Sequence, residues 1–100
     1  AMISGAYDYN RQAEAYNQRL RQRVNAVQQS KSKSDAKAAL TEAQRQRDAM
    51  ATRIQQRNAT ARDLPSGYSS RYLESNQELE AQKRATDSMV AKLKSISQAE

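Results

Sequence analysis

The sequence predicts an all-α protein, an antiparallel up-down-up three-helix bundle with left-handed coiled-coil-like packing. Three long segments repeat their apolar residues at steps of three and four, which is the period of an amphipathic helix and not of a strand. A polar tract and a corner with the single proline separate these segments. Since short connections make sequential helices neighbours, we expect a single domain over residues 1–100, with helices at about 4–29, 35–63 and 69–97.

The first segment has an apolar stripe of Ala6, Tyr9, Ala13, Tyr16, Leu20, Val24 and Val27. We interpret Tyr9 and Tyr16 as core residues, because each adds a large apolar area and a hydroxyl that reaches water at the edge of a thin core. Tyr7 is expected to be exposed. A strict heptad would place Arg23 in the seam, but Val24 takes that place, which favours an ordinary helix over a long coiled coil.

Residues 28–34 contain no apolar side chain and predict the first loop. Ser34 is the preferred N-cap of the second helix, with Asp35 favourably placed in its first turn, and Ser32 is the alternative.

The second segment carries its stripe on Ala36, Ala39, Leu40, Ala43, Met50, Ile54, Ala61 and Leu64. Arg47 and Arg57 fall in or beside this seam. We interpret their stems as packed, with guanidinium groups that emerge at the edge and pair with acids of the third helix. The alternative is a basic patch that faces a partner. The candidate partner-binding residues are Arg45, Arg53, Arg57, Arg62 and Arg71.

The third segment has its stripe on Tyr68, Tyr72, Leu79, Thr86, Met89, Val90, Leu93 and Ile96. Ser75, Gln82 and Lys83 stand where a strong core would have leucine. We therefore expect the bundle to be tightest near its ends and looser at mid-height.

The corner between the second and third segments contains Pro65, which has no amide hydrogen and disfavours a helical conformation at Leu64. The second helix should therefore end within a residue or two of the proline. We expect serines within 66–70 to cap the third helix, and Tyr68 or Tyr72 to pack back against Leu64.

Composition limits both the core and the chemistry. Seventeen of the apolar residues are alanine, and Phe and Trp are absent, so the core is thin. Cysteine and histidine are absent too, which removes thiolate chemistry, the commonest metal ligand and the usual general base at neutral pH. Without a phosphate-binding glycine loop or a paired nucleophile and base, we expect no enzyme activity and no cofactor.

The net charge of +6 is concentrated in the middle of the chain, where residues 31–64 carry eight Lys or Arg against four acids. Such a balance permits attraction to an acidic protein surface, nucleic acid or anionic lipid. Most of the tyrosines fall on core stripes and are not interleaved with basic residues, which disfavours single-strand nucleic-acid binding. No segment combines a Trp/Phe/Leu-rich face with a Lys-rich one, which disfavours membrane-surface binding.

Several short motifs resemble the N-terminal Habc-type domain of Vti-type SNAREs. They are Lys37-Ala38-Ala39-Leu40-Thr41-Glu42-Ala43, Arg62-Asp63-Leu64-Pro65, Tyr68-Ser69-Ser70-Arg71-Tyr72 and Gln77-Glu78-Leu79-Glu80, with Tyr7-Asp8 near the start of the first helix. In that family the second helix ends in a charged residue, an aliphatic residue and proline, and a Tyr-Ser-x-Arg-like sequence opens the third. The second helix here has Arg and Gln where the family carries leucines and acids.

The resemblance implies the regulatory domain of a Qb-SNARE in vesicle transport and membrane fusion, at the cytoplasmic face of endosomal, Golgi or vacuolar membranes. A SNARE motif and a membrane anchor would follow Glu100, and Met2, after a cloning-derived Ala1, would be the native start. The implied partners are an ENTH-type adaptor, other SNAREs or fusion regulators, and the domain would be a monomer. The alternative is a bacterial helical scaffold or secretion-associated coiled-coil protein that self-associates.

Overall fold

The structure, a computed structural model, describes residues 2–99, with side chains from Gly5 onward. Its three helices are α1 (Met2–Ser30), α2 (Lys33–Arg62) and α3 (Ser66–Gln98), and they pack against one another. The predicted all-α three-helix bundle is confirmed. Each helix begins two or three residues before its expected start.

The first loop is a tight connection of two residues between α1 and α2. Lys31 has a left-handed conformation with φ of 56°, and its amide donates to the Val27 carbonyl at 2.8 Å. Ser32 is the N-cap, because its hydroxyl accepts a hydrogen bond from the Asp35 amide at 3.2 Å. The preference for Ser34 was wrong, since the tight loop lets α2 begin at Lys33 and places Ser34 within its first turn.

The corner breaks the helix at residues 63–65. Pro65 itself occupies the N-cap position of α3, and its carbonyl accepts hydrogen bonds from the amides of Tyr68 and Ser69, both at 3.0 Å. The predicted serine cap was wrong, because α3 begins directly after the proline and the serines lie inside its first turns. Ser70, for example, donates to the Ser66 carbonyl within the helix. Tyr72 is buried, whereas Tyr68 is 59% exposed.

The core is apolar at one end of the bundle and polar at the other. The apolar cluster lies at the first-loop end and consists of Leu20, Val24, Val27, Ala36, Ala39, Ala43, Met89, Val90 and Leu93. A smaller cluster of Ala13, Met50 and Leu79 lies at mid-height. At the corner end the buried side chains include Asn10, Arg57, Ser75 and Asn76. Hydrogen-bonding groups therefore share the corner end of the core with Ala6, Ala61 and Tyr72. The expected difference in tightness between the ends and mid-height stays a prediction.

Buried residues of α1 recur at alternating steps of four and three, at Ala6, Asn10, Ala13, Asn17, Leu20, Val24 and Val27. Asn10 and Asn17 occupy the seam, and Val24 continues their seven-residue series. The expectation of an ordinary drifting helix was therefore wrong, since an unbroken heptad is the pattern of left-handed coiled-coil packing. Tyr9 and Tyr16 lie beside this seam, half-buried, and Tyr7 is half-buried instead of exposed.

The three interfaces of the bundle differ in closeness. The α2–α3 interface is the closest and the α1–α2 interface the most open. Small buried side chains explain the close pair, with Ala36, Ala39 and Ala43 on α2 and Ser75 on α3. The bundle measures 54 × 19 × 15 Å, so each helix extends along nearly the whole length of the bundle. The open interface therefore forms a long groove.

Candidate functional site, a groove between the first two helices

Three cavities of about 180, 210 and 230 Å³ follow one another between α1 and α2. We call them together the α1–α2 groove. From α1 and α2 it is lined by Gly5, Ala6, Tyr9, Gln12, Ala13, Tyr16, Arg19, Leu20, Arg23, Glu42, Gln46, Met50, Arg53, Gln56, Arg57 and Thr60, and Tyr72 of α3 closes one end. Along α2 the groove extends from Glu42 to Thr60, which is roughly 27 Å at 1.5 Å per helical residue.

Tyrosine rings and arginines stack across this groove. The Cζ atom of Arg53 lies 4.4 Å from the centre of the Tyr9 ring, and that of Arg57 lies 5.7 Å from it. Both distances are in the range of a cation–π interaction. Tyr9 therefore holds two guanidinium groups of α2 against α1.

The charge on the groove is strongly unbalanced. Its charged lining residues are four arginines, Arg19, Arg23, Arg53 and Arg57, and one acid, Glu42. Arg23 and Glu42 form an ion pair of 2.9 Å across the two helices. The other three arginines make no ion pair with a described carboxylate, which leaves a positive surface.

The Tyr16 hydroxyl is buried at the groove and has no hydrogen-bond partner among the described residues. Burial raises the pKa of this phenol, and the negative charge of Glu42 raises it further. Because its pKa is raised, the hydroxyl keeps its proton. Tyr16 is therefore a hydrogen-bond donor at the groove that has no acceptor among the described residues.

Arg57 is only 5% exposed, although it carries a charge. Its Nη1 donates to the Asn10 side-chain oxygen and its Nη2 to the Ala6 carbonyl, both at 2.8 Å. Asn10 in turn donates to the Ser75 carbonyl of α3 at 2.8 Å. This chain of hydrogen bonds connects all three helices. The expectation that the Arg57 guanidinium emerges at the edge and pairs with acids of the third helix was therefore wrong.

The environment of Arg57 disfavours its charge. Burial lowers the pKa of Arg57, and the positive charge of Arg53 lowers it further. Glu78 opposes this shift weakly and forms no ion pair with Arg57. Arg53 and Arg57 thus place two like charges close together, and among the described side chains no carboxylate forms an ion pair with either.

Arg47 behaves as the sequence predicted. It is half-buried, and its Nε lies 3.7 Å from an Asp87 carboxylate oxygen on α3. Lys83 shares Asp87 at 3.1 Å. The predicted pairing of an α2 arginine with an acid of the third helix is confirmed at this position.

Two further polar layers cross the bundle outside the groove. Asn17 donates to the side-chain oxygen of Gln82 at 2.9 Å and accepts from the Thr86 hydroxyl at 2.8 Å. Asn76 donates to the Asn58 side-chain oxygen at 2.7 Å and to the Ile54 carbonyl at 3.1 Å. A shift of one helix along another would break these bonds, so the layers favour a single register.

The five arginines selected from the sequence do not form one patch. Arg53 and Arg57 come together over Tyr9, with Arg57 inside the bundle and not on its surface. Arg62 lines a separate cavity of about 310 Å³ at the corner, between α2 and α3. Arg45 and Arg71 are exposed and line none of the groove cavities.

Sequence reasoning missed the α1 side of the groove. Arg19 and Arg23 lie there, yet no arginine of the first segment was among the candidates. A signal was present, because Tyr9, Tyr16 and Arg23 follow one another at intervals of seven residues and therefore share one face of a helix.

The arrangement suits non-covalent binding. Among residues 5–99, no three His, Cys, Asp or Glu side chains lie close enough together to hold a metal ion. Within the described part of the chain, none of the helices has the length and apolar character needed to cross a membrane. A scan against protein-family models, a search of curated proteins and a search of solved structures found no match to the chain.

Proposed function

We propose that this chain is a non-catalytic protein-interaction domain that binds an acidic, amphipathic helix of a partner protein in the α1–α2 groove. The observation that carries the proposal is the groove itself, with four arginines against one glutamate around Tyr9 and Tyr16. A helix of about 15 residues, roughly 22 Å long, fits within the length of this groove. A helix seated there would give α1 and α2 the contact that their open interface lacks.

The groove also selects the chemistry of its partner. Guanidinium groups prefer carboxylates, to which they donate paired hydrogen bonds. The rings of Tyr9 and Tyr16, both half-buried, provide apolar surface between the arginines. A partner helix with acids on both flanks of an apolar stripe satisfies both requirements.

The test is the binding of a labelled synthetic helix of about 15 residues, made of Glu, Ala and Leu, followed by fluorescence anisotropy. Replacing its glutamates by glutamine should abolish binding. Arg19→Gln with Arg53→Gln should weaken binding at least about tenfold, since each charge-assisted hydrogen bond is worth more than about 1.4 kcal/mol. The matched control is Arg71→Gln with Arg84→Gln, two exposed arginines of α3 outside the groove. Equal losses in both double variants would disprove the groove as the binding surface.

A specific form of the proposal is the N-terminal regulatory domain of a Vti-like SNARE, with an ENTH-type adaptor, other SNAREs or fusion regulators as partners at endosomal, Golgi or vacuolar membranes. It is supported by the resemblance around Arg62-Asp63-Leu64-Pro65 and by the three-helix architecture. The parent gene beyond Glu100 tests it. A heptad segment followed by a terminal apolar span is expected, and a gene with neither would refute this form.

A self-associating helical scaffold is the second candidate, favoured by Tyr68 and Leu73, which are 59% and 49% exposed near the corner. Leu73 lines the corner cavity beside Arg62. Sedimentation over a concentration series distinguishes the two candidates. The leading proposal predicts a monomer at all concentrations, and a scaffold predicts oligomers that Leu73→Ser weakens.

A further inference from the structure

We infer that the cavity of about 230 Å³ at the corner end of the α1–α2 groove is an oxyanion-binding site, which receives a carboxylate or phosphate group of the partner segment. We call it the Arg57 cavity; Arg53, Arg57, Thr60 and Tyr72 line it. The assignment of this carboxylate or phosphate to a partner protein rests on the proposed function. The anion-binding chemistry of the cavity is independent of it.

The positive charge at the Arg57 cavity is uncompensated. Arg57 is only 5% exposed and has no carboxylate partner among the described side chains. Arg53 adds a second positive charge at the wall of the same cavity. Buried charges in proteins are ordinarily paired, and an anion between these two groups would supply the missing counter-charge.

Arg57 has more hydrogen-bond donors than its described partners use. A guanidinium group has five N–H donors, and Arg57 uses two of them, toward Asn10 and Ala6. Three remain on a group whose position is already fixed by those bonds and by the Tyr9 ring. A donor set that is held in place before binding loses little conformational entropy when the anion arrives.

The side chains of the cavity wall favour anions over cations. Besides the two arginines, the described part of the cavity wall carries the polar side chains of Gln56, Thr60 and Tyr72 and no acidic side chain. Hydroxyl and amide groups donate to carboxylate and phosphate oxygens alike. A cation would meet two positive charges and is excluded. The site therefore accepts oxyanions as a class.

The test starts with the free ion. The ¹⁵N-labelled chain is titrated with inorganic phosphate and, separately, with acetate, and amide and guanidinium NMR shifts are followed. Shifts concentrated at Ala6, Arg57, Thr60 and Tyr72 are expected. Arg53→Gln should weaken the affinity about tenfold, which corresponds to the loss of one charge-assisted hydrogen bond. Arg71→Gln, an exposed arginine outside the cavity, should stay within about twofold, the scale of a screened surface charge.

A second variant, whose folding is checked separately, removes the donors of Arg57 itself. Arg57→Met keeps the stem and removes the donors, and its helical circular dichroism reports whether the bundle is intact. The folded variant should show no saturable shift. Shifts that are absent from the cavity, or that fall equally in Arg53→Gln and Arg71→Gln, would overturn the proposal.

Peptides then distinguish the carrier of the group. Three versions of the acidic helix are compared, with glutamate, phosphoserine or glutamine at the residue placed against the Arg57 cavity. Tighter binding of the glutamate or the phosphoserine version identifies the carboxylate or the phosphate as the natural group. Equal binding of all three would overturn the cavity as the partner's anion site while leaving the groove as the docking surface. If the free ions bind and no peptide does, the anion site stands and the proposed function fails.

Discussion

The hydrogen bond between Asn10 and Arg57 is open to a double-mutant cycle. Asn10→Leu removes the acceptor of the 2.8 Å bond from Arg57 Nη1 and leaves a buried guanidinium with only the Ala6 carbonyl. Arg57→Met removes the charge and keeps an unbranched stem of similar length. The double variant removes both partners and joins two apolar side chains in the same position.

The expected magnitudes follow from the burial of both groups. Losing one partner of a buried, charged hydrogen bond costs about 2 kcal/mol, so Asn10→Leu should destabilise by that amount. Arg57→Met should cost about 1 kcal/mol, since the Asn10 and Ala6 oxygens lose their donors while the cost of burying the charge is removed. The double variant should also cost only about 1 kcal/mol, because replacing both partners by apolar groups is close to neutral. Arg57→Met should thus rescue Asn10→Leu, with a coupling of about 2 kcal/mol.

The assay is urea unfolding followed by helical circular dichroism. At a slope of about 1–2 kcal/mol per molar urea, Asn10→Leu should lower the midpoint by about 1–2 M. Asn25→Leu, at an exposed position of the same helix, is the matched control and should change it little. Effects that add to within about 0.5 kcal/mol would refute the coupling of Asn10 and Arg57.

Three further predictions concern single side chains. Ser32→Ala should destabilise by about 1 kcal/mol through loss of the N-cap, and Ser34→Ala by less than about 0.5 kcal/mol, both by urea unfolding. Lys31→Gly should stabilise by about 0.5–1 kcal/mol in thermal unfolding, because glycine tolerates the φ of 56°. Tyr16→Phe should leave stability at neutral pH unchanged or up to about 1 kcal/mol higher, since the hydroxyl has no described partner. Burial raises the pKa of Tyr16 in the folded chain above its ordinary value of 10.0, so the unfolded chain loses this proton first. The free energy of unfolding should therefore fall as the pH rises from 10.0 through the raised pKa. Tyr16→Phe should therefore weaken the alkaline fall in unfolding free energy, whereas Tyr68→Phe, at an exposed position, should retain it.

Each of these has an outcome that contradicts it. Equal losses for the two serine variants would remove Ser32 as the cap. A lower melting temperature for Lys31→Gly would mean that the left-handed conformation carries no strain. A full alkaline fall in Tyr16→Phe would assign the effect to other groups.

The corner and the three helices could be predicted because they depend on residues that are close together in the sequence. The composition of the core could be predicted only in part, because it depends on hydrogen bonds between residues that are far apart in the sequence. Proline lacks an amide hydrogen and disrupts the interior of a helix, so the break at 63–65 could be predicted from Pro65. Asn10 and Asn17 were left out of the core because a buried asparagine needs partners, and theirs lie 47 to 69 residues away on α2 and α3. Without them the heptad of α1 appeared interrupted.

The candidate site was only half predictable for the same reason. The spacing of α2 put Arg57 beside the seam, but its partners Asn10 and Ala6 lie on α1, 47 and 51 residues away. The α1–α2 interface is open because the small alanine side chains of α2 bring α3, and not α1, close to α2. This arrangement depends on all three helices together. Helix periodicity shows which face is buried and not which neighbour lies closer.

The unequal ends of the core imply opposite responses to temperature. The first-loop end is held by Leu20, Val24 and Leu93, and such apolar contacts weaken as water is cooled. The corner end is held by hydrogen bonds of Arg57 and Asn10, which are favoured by enthalpy and weaken as the protein is warmed. Cooling should therefore loosen the bundle from the first loop, and heating should loosen it from the end that carries the Arg57 cavity.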